Sequence, residues 1–115
     1  MDETAMSEDA WKEDDRLRQH IADLLRAGLA TEFEPRAYDS ETVQKVVAEL
    51  QGLPSDDLQG RLEKAGFMIT SYRSSEGVEE SCETCMYYLS HRRFCQLPEL
   101  MLPVEPEWSC RLWRI

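Results

Sequence analysis

Apolar residues recur at helical spacing through the first half of the chain and lose that period in the last third. From Ala10 to about Ala27, the residues Leu17, Ile21, Leu24 and Leu25 fall at i, i+4, i+7 and i+8, one stripe on a 3.6-residue period. This predicts a helix with Gly28 as its stop. The acids Asp9, Glu13, Asp14 and Asp15 crowd its first turns, where the helix dipole favours negative charge. Asp14 and Arg18 have the i,i+4 spacing of an ion pair, which contributes about 0.3 kcal/mol. Beyond Pro35, two shorter helices begin at Ser40 and Ser55, each serine placed as an N-cap with acids behind it. Val43, Val46, Val47 and Leu50 form the apolar face of one; Leu58, Leu62 and Ala65 form that of the other. The two segments share the order Ser, acid, apolar, Gln, apolar, which reads as two capped amphipathic helices rather than a structural repeat. Gly66 ends the second, and the run Phe67 to Arg73 reads as a short strand leading into an acidic loop.

The pattern divides the chain into an acidic tail over residues 1–8, a helical region over 9–73 and a cysteine-rich region over 74–115. The expected fold is a small, α-rich α+β protein, with two or three N-terminal helices packed as a hairpin or three-helix unit. An irregular C-terminal metal domain completes it.

Charge sharpens this division. The 115 residues carry a formal net charge of −10. Residues 1–81 hold 19 acids against 9 bases, and residues 82–115 hold four of each, so the chain before the first cysteine carries all of the excess. Binding to nucleic acid draws on Lys and Arg that release counterions from phosphates, and this balance argues against it. No apolar run approaches the ~18 residues of a membrane span. The first sixteen residues are too acidic for a signal or transit peptide, so a cytoplasmic location is expected.

Residues 82–115 contain all four cysteines, five of the ten aromatic residues, three of the five prolines and no glycine. The spacing is Cys82-x2-Cys85, nine residues to Cys95, and fourteen to Cys110. Four cysteines in an intracellular chain point to metal before disulfides. An x2 pair can present two sulfurs to one metal or cluster, and two distant cysteines can complete a tetrahedral set. Zn²⁺ and a [4Fe-4S] cluster both accept four thiolates. Zinc ribbons usually pair two C-x2-C knuckles with Gly or Pro, whereas this chain has one knuckle and neither residue inside it. The C-x2-C-x2-C run of bacterial ferredoxins is absent as well. Aromatic and apolar residues surround each cysteine: Met86, Tyr87, Tyr88 and Leu89 follow the pair, Phe94 precedes Cys95, and Trp108 and Trp113 bracket Cys110. Such a shell excludes water and tunes a cluster.

Over residues 80–115 this arrangement resembles the high-potential iron–sulfur proteins. It is similar above all to the compact variants that serve as small accessory subunits of some glycyl-radical enzymes. The resemblance implies one [4Fe-4S] cluster on Cys82, Cys85, Cys95 and Cys110, shielded by Tyr87, Tyr88, Phe94, Trp108 and Trp113. It also implies an electron-transfer or accessory role beside a larger protein, such as an oxidoreductase or radical enzyme. The alternative is a zinc-stabilised protein–protein interaction module whose acidic helices meet a basic partner. A redox dithiol at Cys82 and Cys85 is a third reading, and it leaves Cys95 and Cys110 unexplained.

His91 lies between cysteines and could replace one of them on zinc; beside Arg92 and Arg93 it reads as part of a solvated basic turn. His20 falls on the polar side of the first helix. The pairs Asp14–Asp15 and Asp56–Asp57 are adjacent in first turns, where neighbours do not face each other, and suggest no acid–base catalysis. No nucleophile elbow, phosphate loop or dinucleotide fingerprint is present, so the expectation is a binding protein rather than an independent enzyme.

Overall fold

The computed structural model describes residues 8–115, which form three helices followed by five two-residue strands. The acidic tail expected over residues 1–8 lies outside the described residues, apart from Glu8 at the head of the first helix. This is a small α+β fold, with the helices N-terminal and the strands C-terminal.

Helix α1 spans Glu8–Arg26 and turns its apolar stripe inward: Ile21 and Ala22 are buried, and Leu17, Leu24 and Leu25 pack on the core. Gly28 follows with φ +100° and receives the end of the helix. The i,i+4 pair expected between Asp14 and Arg18 does not form. Arg18 faces the buried side, where its Nε donates to the carbonyl of Val104 at 3.0 Å and Nη2 donates to the carbonyls of Arg92 and Arg93. Its remaining nitrogen takes Asp15 at 2.7 Å, one residue nearer. Asp14 instead receives both arms of Arg92, at 2.7 and 3.1 Å. A desolvated guanidinium must satisfy its donors, and carbonyls left open in a turn supply acceptors that a local pair could not.

Helix α2 spans Ser40–Gln51 and α3 spans Leu58–Ala65, and the two pack together. Both N-caps differ from expectation. Asp39, not Ser40, accepts from the Thr42 amide at 2.7 Å, and Asp57, not Ser55, accepts from the Gly60 amide at 2.9 Å. A carboxylate forms the stronger, charge-assisted cap, and each aspartate stands directly before the first helical residue. Gly66 closes α3 in the left-handed conformation, φ +67° and ψ +45°. A Cβ there would lie 2.5 Å from the Glu32 carbonyl oxygen and 2.7 Å from Phe33 Cα, so the linker passes where only glycine fits.

The strand expected from Phe67 to Arg73 is realised only at its end. Strand β1, Tyr72–Arg73, pairs antiparallel with β2, Glu79–Glu80, around a turn at Gly77. Met68 instead forms an isolated bridge to Ser109, with amide–carbonyl bonds of 2.8 and 3.1 Å in both directions. That pairing draws the end of α3 against the last cysteine. The second sheet contains β3 (Tyr88–Leu89), β4 (Phe94–Cys95) and β5 (Leu102–Pro103) in that order, all antiparallel. Strand β5 packs on α1. A single core cluster runs through both regions, joining Ile21, Val46, Leu62 and Phe67 to Leu100, Leu102, Val104 and Trp108.

Candidate metal centre

Each cysteine is placed by a different local device. A 3₁₀ turn over Cys82–Thr84 carries the first pair: the Cys85 amide donates to the Cys82 carbonyl at 3.0 Å, bringing the two residues to one side of a tight turn. The Cys82 amide itself donates to the Trp108 carbonyl at 2.6 Å, tying that turn to the C-terminal segment. Cys95 ends the central strand β4, opposite Tyr88 on one side and Leu102 on the other. Cys110 directly follows the Met68–Ser109 bridge.

These devices bring the four side chains to one cavity. Cys82, Cys85, Cys95 and Cys110 line it together with Phe67, Tyr88 and Trp113. The cavity is small, about 20 Å³, and opens to solvent at one side. All four cysteines are free thiols, three of them buried and Cys85 half-buried. Among the described residues, no three His, Cys, Asp or Glu side chains gather closely enough to hold a single ion.

Burial sets their acidity. It pushes the Cys82 and Cys110 thiols well above the ordinary range, and the neighbouring cysteines push in the same direction. Cys95 is raised to about 11, chiefly by burial; the Leu97 backbone amide pulls the other way. The Leu112 amide does the same for Cys110. Both donors stand two residues beyond their cysteine, so the backbone is already arranged to stabilise negative sulfur at both sites.

One buried charge adjoins the cavity. Arg36 Nη2 donates to the Cys110 carbonyl at 2.9 Å and to Glu80 Oε1 at 2.5 Å. The Tyr38 hydroxyl donates to the other oxygen of Glu80, and the Arg36 guanidinium lies 4.0 Å from the centre of the Tyr72 ring. Arg36 and Glu80 are both buried, so each neutralises a charge the other could not carry alone.

Of the five expected shielding residues, Tyr88 and Trp113 stand in the cavity wall. The other three lie elsewhere. Tyr87 borders a surface groove with Leu97 and Leu112, and Phe94 is buried beneath the Arg92 guanidinium, 3.8 Å away. Trp108 is buried in the core and serves Cys82 through its carbonyl. His91 is exposed, in a groove with Trp11 and Arg92, outside the cavity. Sequence reading missed Phe67, Arg36 and Glu80. Phe67 directly follows the helix-ending Gly66, and Glu80 alternates with exposed Glu79 in β2; these were the available signals.

The chain matches no protein-family profile, no curated protein and no solved structure.

Proposed function

We propose that this chain binds one [4Fe-4S] cluster through Cys82, Cys85, Cys95 and Cys110 and serves a larger partner as an electron-transfer or accessory protein. The observation that carries this reading is the placement of all four thiols around one small, largely apolar cavity. An eight-atom cube needs ligands spread about a small volume, whereas a lone zinc ion draws four sulfurs to a single centre about 2.3 Å from each. Four sulfurs in one lining, with aromatic rings beside them, support the cluster reading.

When bound, such a cluster stores and releases one electron at a time. The chain's own residues supply the rest. Phe67, Tyr88 and Trp113 keep water from the cavity. The amides of Leu97 and Leu112 offset charge on two ligand sulfurs. Arg36 holds the Cys110 backbone in place and contributes a positive charge beside it. Metal binding must displace protons from thiols that burial keeps protonated, so loading is favoured as pH rises toward the thiol range.

The test is an absorption spectrum with iron, sulfide and zinc analysis on protein purified without oxygen. The expected result is a broad band near about 400 nm and roughly four irons per chain. One zinc per chain with no visible band would replace this reading with a zinc-stabilised interaction module.

A further inference from the structure

One side chain is shared between the cysteine cavity and a groove on the surface. Trp113 stands in the cavity wall and also in the wall of a separate open groove. Its Nε1 donates to Thr84 Oγ1 at 2.9 Å, which fixes the indole between the two. On the outer side the groove presents apolar surface that the fold leaves uncovered, with Tyr38 55% and Val78 41% exposed.

Charge around this groove is one-sided. Glu76 and Glu80 line it and no Lys or Arg does, and the exposed Glu79 and Glu83 lie on the same segment, residues 74–83, which holds no Lys or Arg. Glu80 is neutralised by Arg36, and the remaining three are exposed. Two cations adjoin lining residues in sequence: Arg73 donates to the Gly77 carbonyl at 3.0 Å within the same hairpin, and Arg114 stands in the wall of a different groove. An apolar centre inside an acidic frame, on a chain of net charge −10, is complementary to a protein with an apolar contact patch ringed by Lys or Arg.

We propose that this groove is the docking face for a basic-rimmed, one-electron redox protein, and that the electron passes between cluster and partner at Trp113. The proposal rests on the cluster reading above and adds the partner's chemistry and its place of contact. One electron leaves one redox centre and enters the other; no bond is made or broken and no proton moves. Attraction between acidic frame and basic rim raises the encounter rate, and the apolar centre seats the complex.

The test mixes the reduced, cluster-loaded full chain with a ferric c-type cytochrome, a basic haem protein, in a stopped-flow spectrometer. Haem reduction and cluster bleaching are followed together. The second-order rate should fall as salt is added. At low salt, Glu76→Lys and Val78→Lys should each slow it about fivefold or more, while Glu13→Lys on the exposed side of α1 slows it less than about twofold. Glu13→Lys and Glu76→Lys change net charge equally, so position alone separates them. Equal slowing by all three variants, or no slowing by any, would overturn the docking face. Absence of the visible band and of iron in the unmutated protein would overturn the cluster reading instead, and the proposal with it.

Discussion

The four cysteines are chemically alike, yet their surroundings give them different parts. Cys110 is buried and bonded through its carbonyl to Arg36, and these two features hold it at the cavity. His91 is exposed and outside. Cys110→Ser should therefore lower bound iron to below about half of one cluster per chain, because a hydroxyl replaces a thiolate ligand, whereas His91→Ala should leave it unchanged. Iron analysis of the two purified variants decides this, and equal loss would move His91 into the ligand set. The same scale explains why Trp108 and Trp113 differ despite bracketing one cysteine in sequence. Trp108 fills the core on the side of α1, while Trp113 reaches the cavity wall.

Between elements, the joints matter more than the short strands. Two-residue strands pair too little backbone to be stable alone, so the cysteine-rich region depends on what packs against it. Arg18 on α1 satisfies three carbonyls of the cysteine-rich region, and the Met68–Ser109 bridge brings the end of α3 beside Cys110. Gly66 makes the second joint possible. Gly66→Ala should cost about 2–4 kcal/mol, combining left-handed strain with a clash against the 32–33 backbone. Gly28→Ala has a φ of +100° but nothing within 4 Å, so it should cost about 1 kcal/mol. Urea denaturation of both variants measures the contrast, and equal losses would remove the close approach as the cause.

For the whole molecule, thiol protonation and fold are coupled. The raised thiols of Cys82, Cys95 and Cys110 hold their protons more tightly folded than unfolded. The unfolded thiol titrates near about 8.5, and folded Cys95 near about 11. The stabilising contribution of burial is complete below the lower value and is lost as pH rises through the interval, because the unfolded chain releases protons first. The urea midpoint of metal-free protein should thus fall from about pH 9 to about pH 11, and cluster-loaded protein, whose sulfurs carry no protons, should lack that decline. A flat midpoint in the metal-free protein would show that its thiols are not buried as described.

Much of this molecule was present in the amino-acid order. The stripe Leu17, Ile21, Leu24, Leu25, the stop at Gly66, the α+β class and the concentration of charge in the helical half follow from local pattern alone, because periodicity and backbone conformation act over a few residues. The choice of partner did not. Ser40 and Ser55 were plausible caps, and Asp14 a plausible mate for Arg18, until folding placed stronger or less solvated groups within reach. Likewise, Phe67 and Arg36 reach the cavity and its rim from segments remote from the cysteines, and Arg36 there meets Glu80, two residues before Cys82. Local order specified which groups were available, and tertiary structure decided which of them met, because a buried donor, charge or ring is settled by whatever satisfies it in space rather than by its neighbours along the chain.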